Sequence, residues 1–156
     1  MMIPREYVGK TFPQFKVTAF KAIFDSLFEL TQSHLDGEIS SRQPPCNWPA
    51  IMLSRGTACL MNVWEELGID PLRAFLSSEE FVHFHPPGED EELTGSVRMD
   101  DIREILDEEG GVCDQADFTA DFFNAAGLHL AAYRFSYRVR LTATARCIGY
   151  VVSTID

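Results

Sequence analysis

Asn47 to Gly68, NWPAIMLSRGTACLMNVWEELG, is the stretch that decides how this chain is read. It reads as one helix. The Asn47 side-chain oxygen suits the cap position, where it accepts an orphan N–H of the first turn. Pro49 falls in that turn, where its missing N–H costs nothing. Gly68 supplies the left-handed residue that ends helices. Ile51, Met52, Leu53, Leu60, Met61, Val63, Trp64 and Leu67 point around most of the cylinder, the pattern of a buried helix. Arg55 and Asn62 interrupt the run and Glu65 and Glu66 follow, so it is not a membrane span. Gly56, Thr57 and Ala58 make a small-residue patch where another backbone can approach. Arg55, expected inside this buried helix, needs a partner or a ligand anion there.

What wraps the helix is read from its flanks. Upstream, Phe15 and Val17 alternate with Gln14 and Lys16, giving a first strand near Phe15–Thr18. Thr18 then caps an amphipathic helix in which Phe20, Ile23, Phe24, Leu27 and Thr31 share one face. The polar stretch Ser33–Asn47, with Gly37 and the Pro44–Pro45 pair, is a long loop of the kind that is usually functional or mobile. Downstream, Asp70–Pro71 starts one or two helical turns ending by Leu76. Glu80–His85 is β-like, with Phe81, His83 and His85 on one face and Val82 and Phe84 on the other. Leu93–Ile102 is a further strand, and Asp107–Gly111 is a turn. Val112–Asn124 alternates most cleanly: Val112, Ala116, Phe118, Ala120 and Phe122 against Cys113, Gln115, Asp117, Thr119 and Asp121. Asn124–Gly127 is a hairpin turn. Leu128–Leu141 alternates again, with Tyr133, Phe135, Tyr137, Val139 and Leu141 opposite Arg134, Ser136, Arg138 and Arg140.

Short turns between strands make antiparallel neighbours. The expected fold is α+β: a curved antiparallel sheet wrapped around one long buried helix, the hotdog architecture. The alternative is an α+β sandwich with the helices on one face. One domain of 156 residues is expected, with its core over about 7–141 and a tail or extra strand over 142–156.

The net charge of −11 argues against nucleic acid as a partner, since phosphate backbones call for a basic face. No stretch has the length and apolarity of a signal peptide or a bilayer span, so a cytoplasmic protein without a membrane partner is expected. The four cysteines, Cys46, Cys59, Cys113 and Cys147, form no CxxC and read as reduced thiols. There is no GxSxG, no Gly-rich phosphate loop and no zinc-ligand spacing.

With the strands in place, three segments resemble the MaoC-like hydratases and dehydratases, specifically the N-terminal half-domain also called FAS1-like dehydratase. They are YVGKTFPQFKVT, EEFVHFHPPGEDEELTGSVRMDDIRE and GGVCDQADFTADFFNAAGLHLAAYRFSYRVR. The likeness spans about residues 7–140. It implies a hotdog fold, a paired double-hotdog assembly (a homodimer or a heterodimer with a second hotdog subunit), and acyl thioesters of CoA or acyl carrier protein as ligands. No cofactor is implied beyond the CoA or phosphopantetheine carried by the substrate. If active, the chain is a hydro-lyase: an (R)-3-hydroxyacyl-thioester dehydratase or enoyl-thioester hydratase. The chain departs from the family at its catalytic motif, an Asp with a His five residues on. Asp25 is followed at that distance by Leu30, and Asp36 by Ser41. The departure fits an acyl-binding half whose paired hotdog supplies the dyad.

Candidate residues follow from the chemistry. Hydration of an enoyl thioester needs a base, an acid and a place for enolate charge. In the loop, His34 is the candidate base, and Asp36 or Glu38 would orient water. Exposed N–H groups near Ala50–Ile51 would hold the oxyanion. Trp48 and Met52 would line the acyl channel, with Arg55 near the thioester. Arg134, Arg138 and Arg140 share a strand face suited to bidentate phosphate binding; the competing reading is a solvated face balancing Asp117 and Asp121. His83 and His85 lack a third ligand for a metal. Two other functions remain open: a catalytically silent acyl-CoA or acyl-carrier-protein binding scaffold, and a thioesterase using Asp36 or Glu38 to activate water.

Overall fold

The structure, a computed structural model, describes residues 2–19, 44–55 and 59–140. The helix at Thr18–Thr31, most of the loop before Trp48, the Gly56–Ala58 patch and the tail beyond 140 lie outside the described residues, apart from Thr18 and Ala19. Five strands form one sheet: β1 (Phe15–Ala19), β2 (Ala74–His83), β3 (Glu91–Leu106), β4 (Val112–Asn124) and β5 (His129–Arg140). Their order is β1-β3-β4-β5-β2, and every neighbouring pair is antiparallel. Two helical segments, α1 (Trp48–Arg55) and α2 (Cys59–Leu67), pack on the concave face. This is the hotdog arrangement expected from the sequence.

The centre of the sheet is built by the alternation. On β4, Ala116, Phe118, Ala120 and Phe122 face inward and are buried; on β5, Ala131, Tyr133, Phe135 and Val139 do the same. Trp48 of α1 meets Phe122 edge-on at 5.4 Å, and Trp64 of α2 meets Phe118 and Tyr137 at 5.7 and 4.8 Å. Such pairs contribute about 0.5–1.5 kcal/mol each beyond their buried area. Helix α2 ends as Gly68 predicts. Gly68, at φ +66°, donates its N–H to the Glu65 carbonyl, and the Ile69 N–H reaches the Trp64 carbonyl. These two bonds are a Schellman motif, with buried Ile69 closing on buried Trp64. Gly95 has a different role. A Cβ there would lie 2.2 Å from the Phe15 ring, so the glycine is what lets β1 seal its end of the core.

Three expectations need correction. The helical stretch is one-sided: Trp48, Met52, Leu53, Val63, Trp64 and Leu67 are buried, but Met61 is 53% exposed. Arg55 is exposed and not inside a buried helix. Strand β2 begins at Ala74, where one or two helical turns to Leu76 were expected. Only one 3-10 turn forms, Pro71–Arg73, started by the Asp70 carboxylate accepting the Leu72 N–H at 3.0 Å. The reason is a register shift between Leu76 and Ser78. A bulge breaks the two-residue period that sequence reading relies on. The hairpins agree with the sequence. Asp107 accepts the Glu109 and Gly111 N–H groups in one turn, and Asn124 accepts those of Ala126 and Leu128 in the other.

Candidate functional site

The start of α1 and the end of β2 meet at a cleft of about 500 Å³. Its described walls are Pro44, Cys46 and Trp48 from one side, and His83, Phe84, His85 and Pro86 from the other. The register places these groups. In β2 beyond the bulge, Glu79, Phe81 and His83 pair with Phe135, Tyr133 and Ala131, all inward positions of β5. Past His83 the strand ends, and the Phe84 and His85 N–H groups both donate to the Leu130 carbonyl. Phe84 then packs on the convex side against His129, which is bonded to Asp121 at 2.9 Å.

His83 is held on three sides. Its Nε2 lies 2.7 Å from the Cys46 carbonyl oxygen. A carbonyl only accepts, so the proton is on Nε2, and in the neutral ring Nδ1 carries the lone pair. The ring stacks with Phe81 at 6.5 Å and lies 6.2 Å from Trp48. Phe81 in turn stacks on Tyr133 at 4.9 Å. The Tyr133 hydroxyl donates to Glu79 Oε1 at 2.6 Å. Burial first, and then that carboxylate, push the Tyr133 phenol well above its ordinary value; burial and then Glu79 raise Tyr137 as well. Both phenols therefore stay protonated, and Tyr133 acts as a donor to Glu79. The concave edge of β2 thus carries a row Glu79–Phe81–His83: a carboxylate, an aromatic spacer and an imidazole whose tautomer is fixed.

The sequence-derived candidates are distributed as follows. His34, Asp36 and Glu38 lie outside the described residues. Trp48 is in the cleft wall and 2% exposed. Met52 is fully sealed in the core. Arg55 borders a separate cleft with Lys16, Thr18 and Glu92. Arg134 is exposed and paired with Glu80 at 2.8 Å. Arg138 and Arg140 share a third cleft of about 510 Å³ with Phe75, Ser77, Cys113 and Asp107. Arg140 lies over the Phe75 ring and 3.3 Å from Asp107. The Arg138 Nε is buried without a hydrogen-bond partner. Phe75 and His83 are separated along β2 by about 26 Å, at roughly 3.3 Å per residue. The structure therefore brings Arg138 and Arg140 together, but away from Trp48 and on the opposite face of the sheet.

That convex face is mostly self-neutralised. Arg98 pairs with Asp100, which accepts from Thr119. Arg103 pairs with Asp117, which also accepts from Ser136. Among the described residues no cluster suits a metal ion, and no helix is long and apolar enough to cross a membrane. The site group that sequence reading underrated is His83. The alternation of EFVHFH put it beside Phe81, but its anchor at Cys46 is a tertiary contact.

No family model matches the chain, and no curated protein matches it in sequence. Solved structures do. The C-terminally truncated HadBC (3R-hydroxyacyl-ACP dehydratase) complex from Mycobacterium tuberculosis aligns with a TM-score of 0.64 at 9% identity, covering 85% of this chain and 96% of that one. A MaoC-like dehydratase aligns at 0.64 with 18% identity, over 86% of this chain and 42% of that one. The (R)-hydratase from A. caviae involved in PHA biosynthesis aligns at 0.55 with 14% identity, over 85% and 96%. At these identities the likeness is one of fold, and it defines the chain as a hotdog protein. Within that class, the fold is the one shared by the MaoC-like and (R)-hydratase structures, in agreement with the resemblance read from the sequence.

Proposed function

We propose that this chain is an acyl-thioester-binding hotdog of the (R)-3-hydroxyacyl-thioester dehydratase or enoyl-thioester hydratase type. The observation that carries the reading is the cleft at the start of α1, where a buried Trp48 and two imidazoles face a single opening. An apolar wall with a few convergent polar groups is what a thioester site requires. The N-terminal end of α1 adds the partial positive charge that favours a developing enolate. His34, Asp36 and Glu38 are the loop groups proposed to serve the same site. Of the arginine face, Arg138 is the residue left to meet a phosphate of the CoA or phosphopantetheine arm.

The partner proposed is a second hotdog subunit, identical or not, seated along β2. Among the described residues this strand is an edge of the sheet, and its inward Leu76 is 45% exposed while the neighbouring Phe75 is 47% exposed. An unpaired edge with apolar side chains invites another strand. The HadBC neighbour is itself a complex. A second reading, an acyl-binding half without activity of its own, is favoured by the absent Asp and His motif.

Hydration of crotonyl-CoA by the purified chain tests the two. Loss of enoyl absorbance with formation of the 3-hydroxyacyl thioester supports the hydratase. Tight thioester binding without turnover supports the silent half. Release of free CoA contradicts both and returns the chain to the thioesterases.

A further inference from the structure

We infer that His83 is the base that moves the proton in this cleft. The inference rests on the hydratase reading and names the group that does its chemistry. The family-type Asp and His pair is missing from the sequence, so a hydratase built on this chain needs another base. Three observations select His83. Its Nε2 proton is committed to the Cys46 carbonyl at 2.7 Å, which leaves Nδ1 as the basic atom of the neutral ring. The ring is held by Phe81 and Trp48, so its direction is set before a ligand arrives. It is exposed at an opening large enough for an acyl thioester.

The neighbours exclude the obvious alternatives. Glu79, on the same face of β2, is about 13 Å away by strand rise, and its Oε1 is engaged by Tyr133. His129 lies against Phe84 and Phe123 and is bonded to Asp121. His85 shares the opening, but among the described residues no hydrogen bond fixes its tautomer. None of the described walls of the cleft carries a carboxylate that would oppose an enolate.

The step balances with this one group. A water oxygen bonds to C3 of the enoyl thioester while its proton passes to His83 Nδ1. The C2=C3 electron pair moves toward the thioester carbonyl as an enolate. The imidazolium then returns the proton to C2, and His83 is neutral again with Nε2–H still on Cys46. The net change is addition of water, and the reverse sequence is the dehydration.

His83→Gln separates a base from a structural tether, because the Gln amide keeps an N–H for the Cys46 carbonyl but cannot take a proton. With the full chain and crotonyl-CoA, His83→Gln is expected to lose about 100-fold or more in kcat, with KM changed by less than about threefold. His129→Gln should leave turnover unchanged. His83→Asn is a second base-free variant, and thermal melts of both variants check the fold. Turnover by His83→Gln at the wild-type rate, a change in KM alone, or loss in His34→Ala with His83→Gln intact each overturn the assignment while leaving the hydratase reading in place. No turnover by the wild type removes the hydratase reading, and His83 as its base falls with it.

Discussion

The centre of the sheet and its β2 edge follow the same alternation and end in opposite states. On β4 and β5 the inward residues Phe118, Phe122, Tyr133 and Phe135 are sealed under the helices. On β2 the inward residues Leu76, Glu79 and His83 are exposed. Among the described residues, the helices cover the concave face as far as β5 and leave the next strand open. Polar groups turned inward are costly where they are sealed. They are tolerable on β2 because that strand is still in contact with solvent. The difference locates the chemistry: Glu79 and His83 turn inward where the described residues leave the sheet open, whereas the inward carboxylate of β4, Asp114, is sealed and accepts the Met2 and Ile3 N–H groups.

The largest test of this contrast is at its boundary. Trp48→Ala removes a ring that packs on Phe122 and should cost about 3–5 kcal/mol in denaturant unfolding. A loss below about 1 kcal/mol would mean that the cleft wall is not part of the core. Leu76→Lys, also inward but on the open strand, should change monomer stability by less than about 0.5 kcal/mol. It should raise a dimer dissociation constant at least about tenfold, equivalent to 1.4 kcal/mol. Sedimentation at several concentrations reads this, and an unchanged association constant removes β2 as the partner edge.

A smaller effect belongs to the convex face. Burial pushes the Asp117 carboxyl upward, but the Ser136 hydroxyl, the Gln115 amide and Arg103 together hold it below its ordinary value of 3.8. A depressed folded value gives stability that is present above 3.8 and lost as pH falls through the lower, folded value. Asp117→Asn should therefore flatten the acid limb of stability against pH, and an unchanged limb would place the loss elsewhere. Smallest of all is Arg134→Ala. Arg134 and Glu80 are both largely exposed, so less than about 1 kcal/mol is expected. Arg138→Ala should leave stability similar but weaken thioester binding, more at low salt than at high. Equal affinities at low salt would return Arg138 to the solvated face.

Much of the fold was legible in the sequence for a local reason. Strand β4 alternates Ala116, Phe118, Ala120 and Phe122 with polar residues, β5 carries Tyr133, Phe135 and Tyr137 at every second position, and Asp-Glu-Glu-Gly-Gly and Asn-Ala-Ala-Gly turns bound them, so period and punctuation agree. The end of α2 was legible because only a left-handed residue such as Gly68 closes that motif. The start of β2 was not, because the bulge after Leu76 shifts the faces and Pro71 imitates a helix start. The site was less legible still. Its anchor joins His83 to a backbone carbonyl 37 positions away, and no side-chain pattern encodes a carbonyl. The exposure of Arg55 escaped for a related reason: apolar residues spread around the helical stretch did not reveal that the sheet covers only one side of it.

On the proposed reading the open concave face of β2 receives the acyl-thioester end of the ligand, and the arginine face behind it contributes only Arg138, to a phosphate of the CoA arm. Backbone amide NMR of the chain titrated with butyryl-CoA, a saturated thioester that cannot be hydrated, tests it most directly. Shifts concentrated at 46–48 and 81–85 are expected. Shifts confined to Phe75, Arg138 and Arg140, or no shifts at saturating ligand, would contradict it.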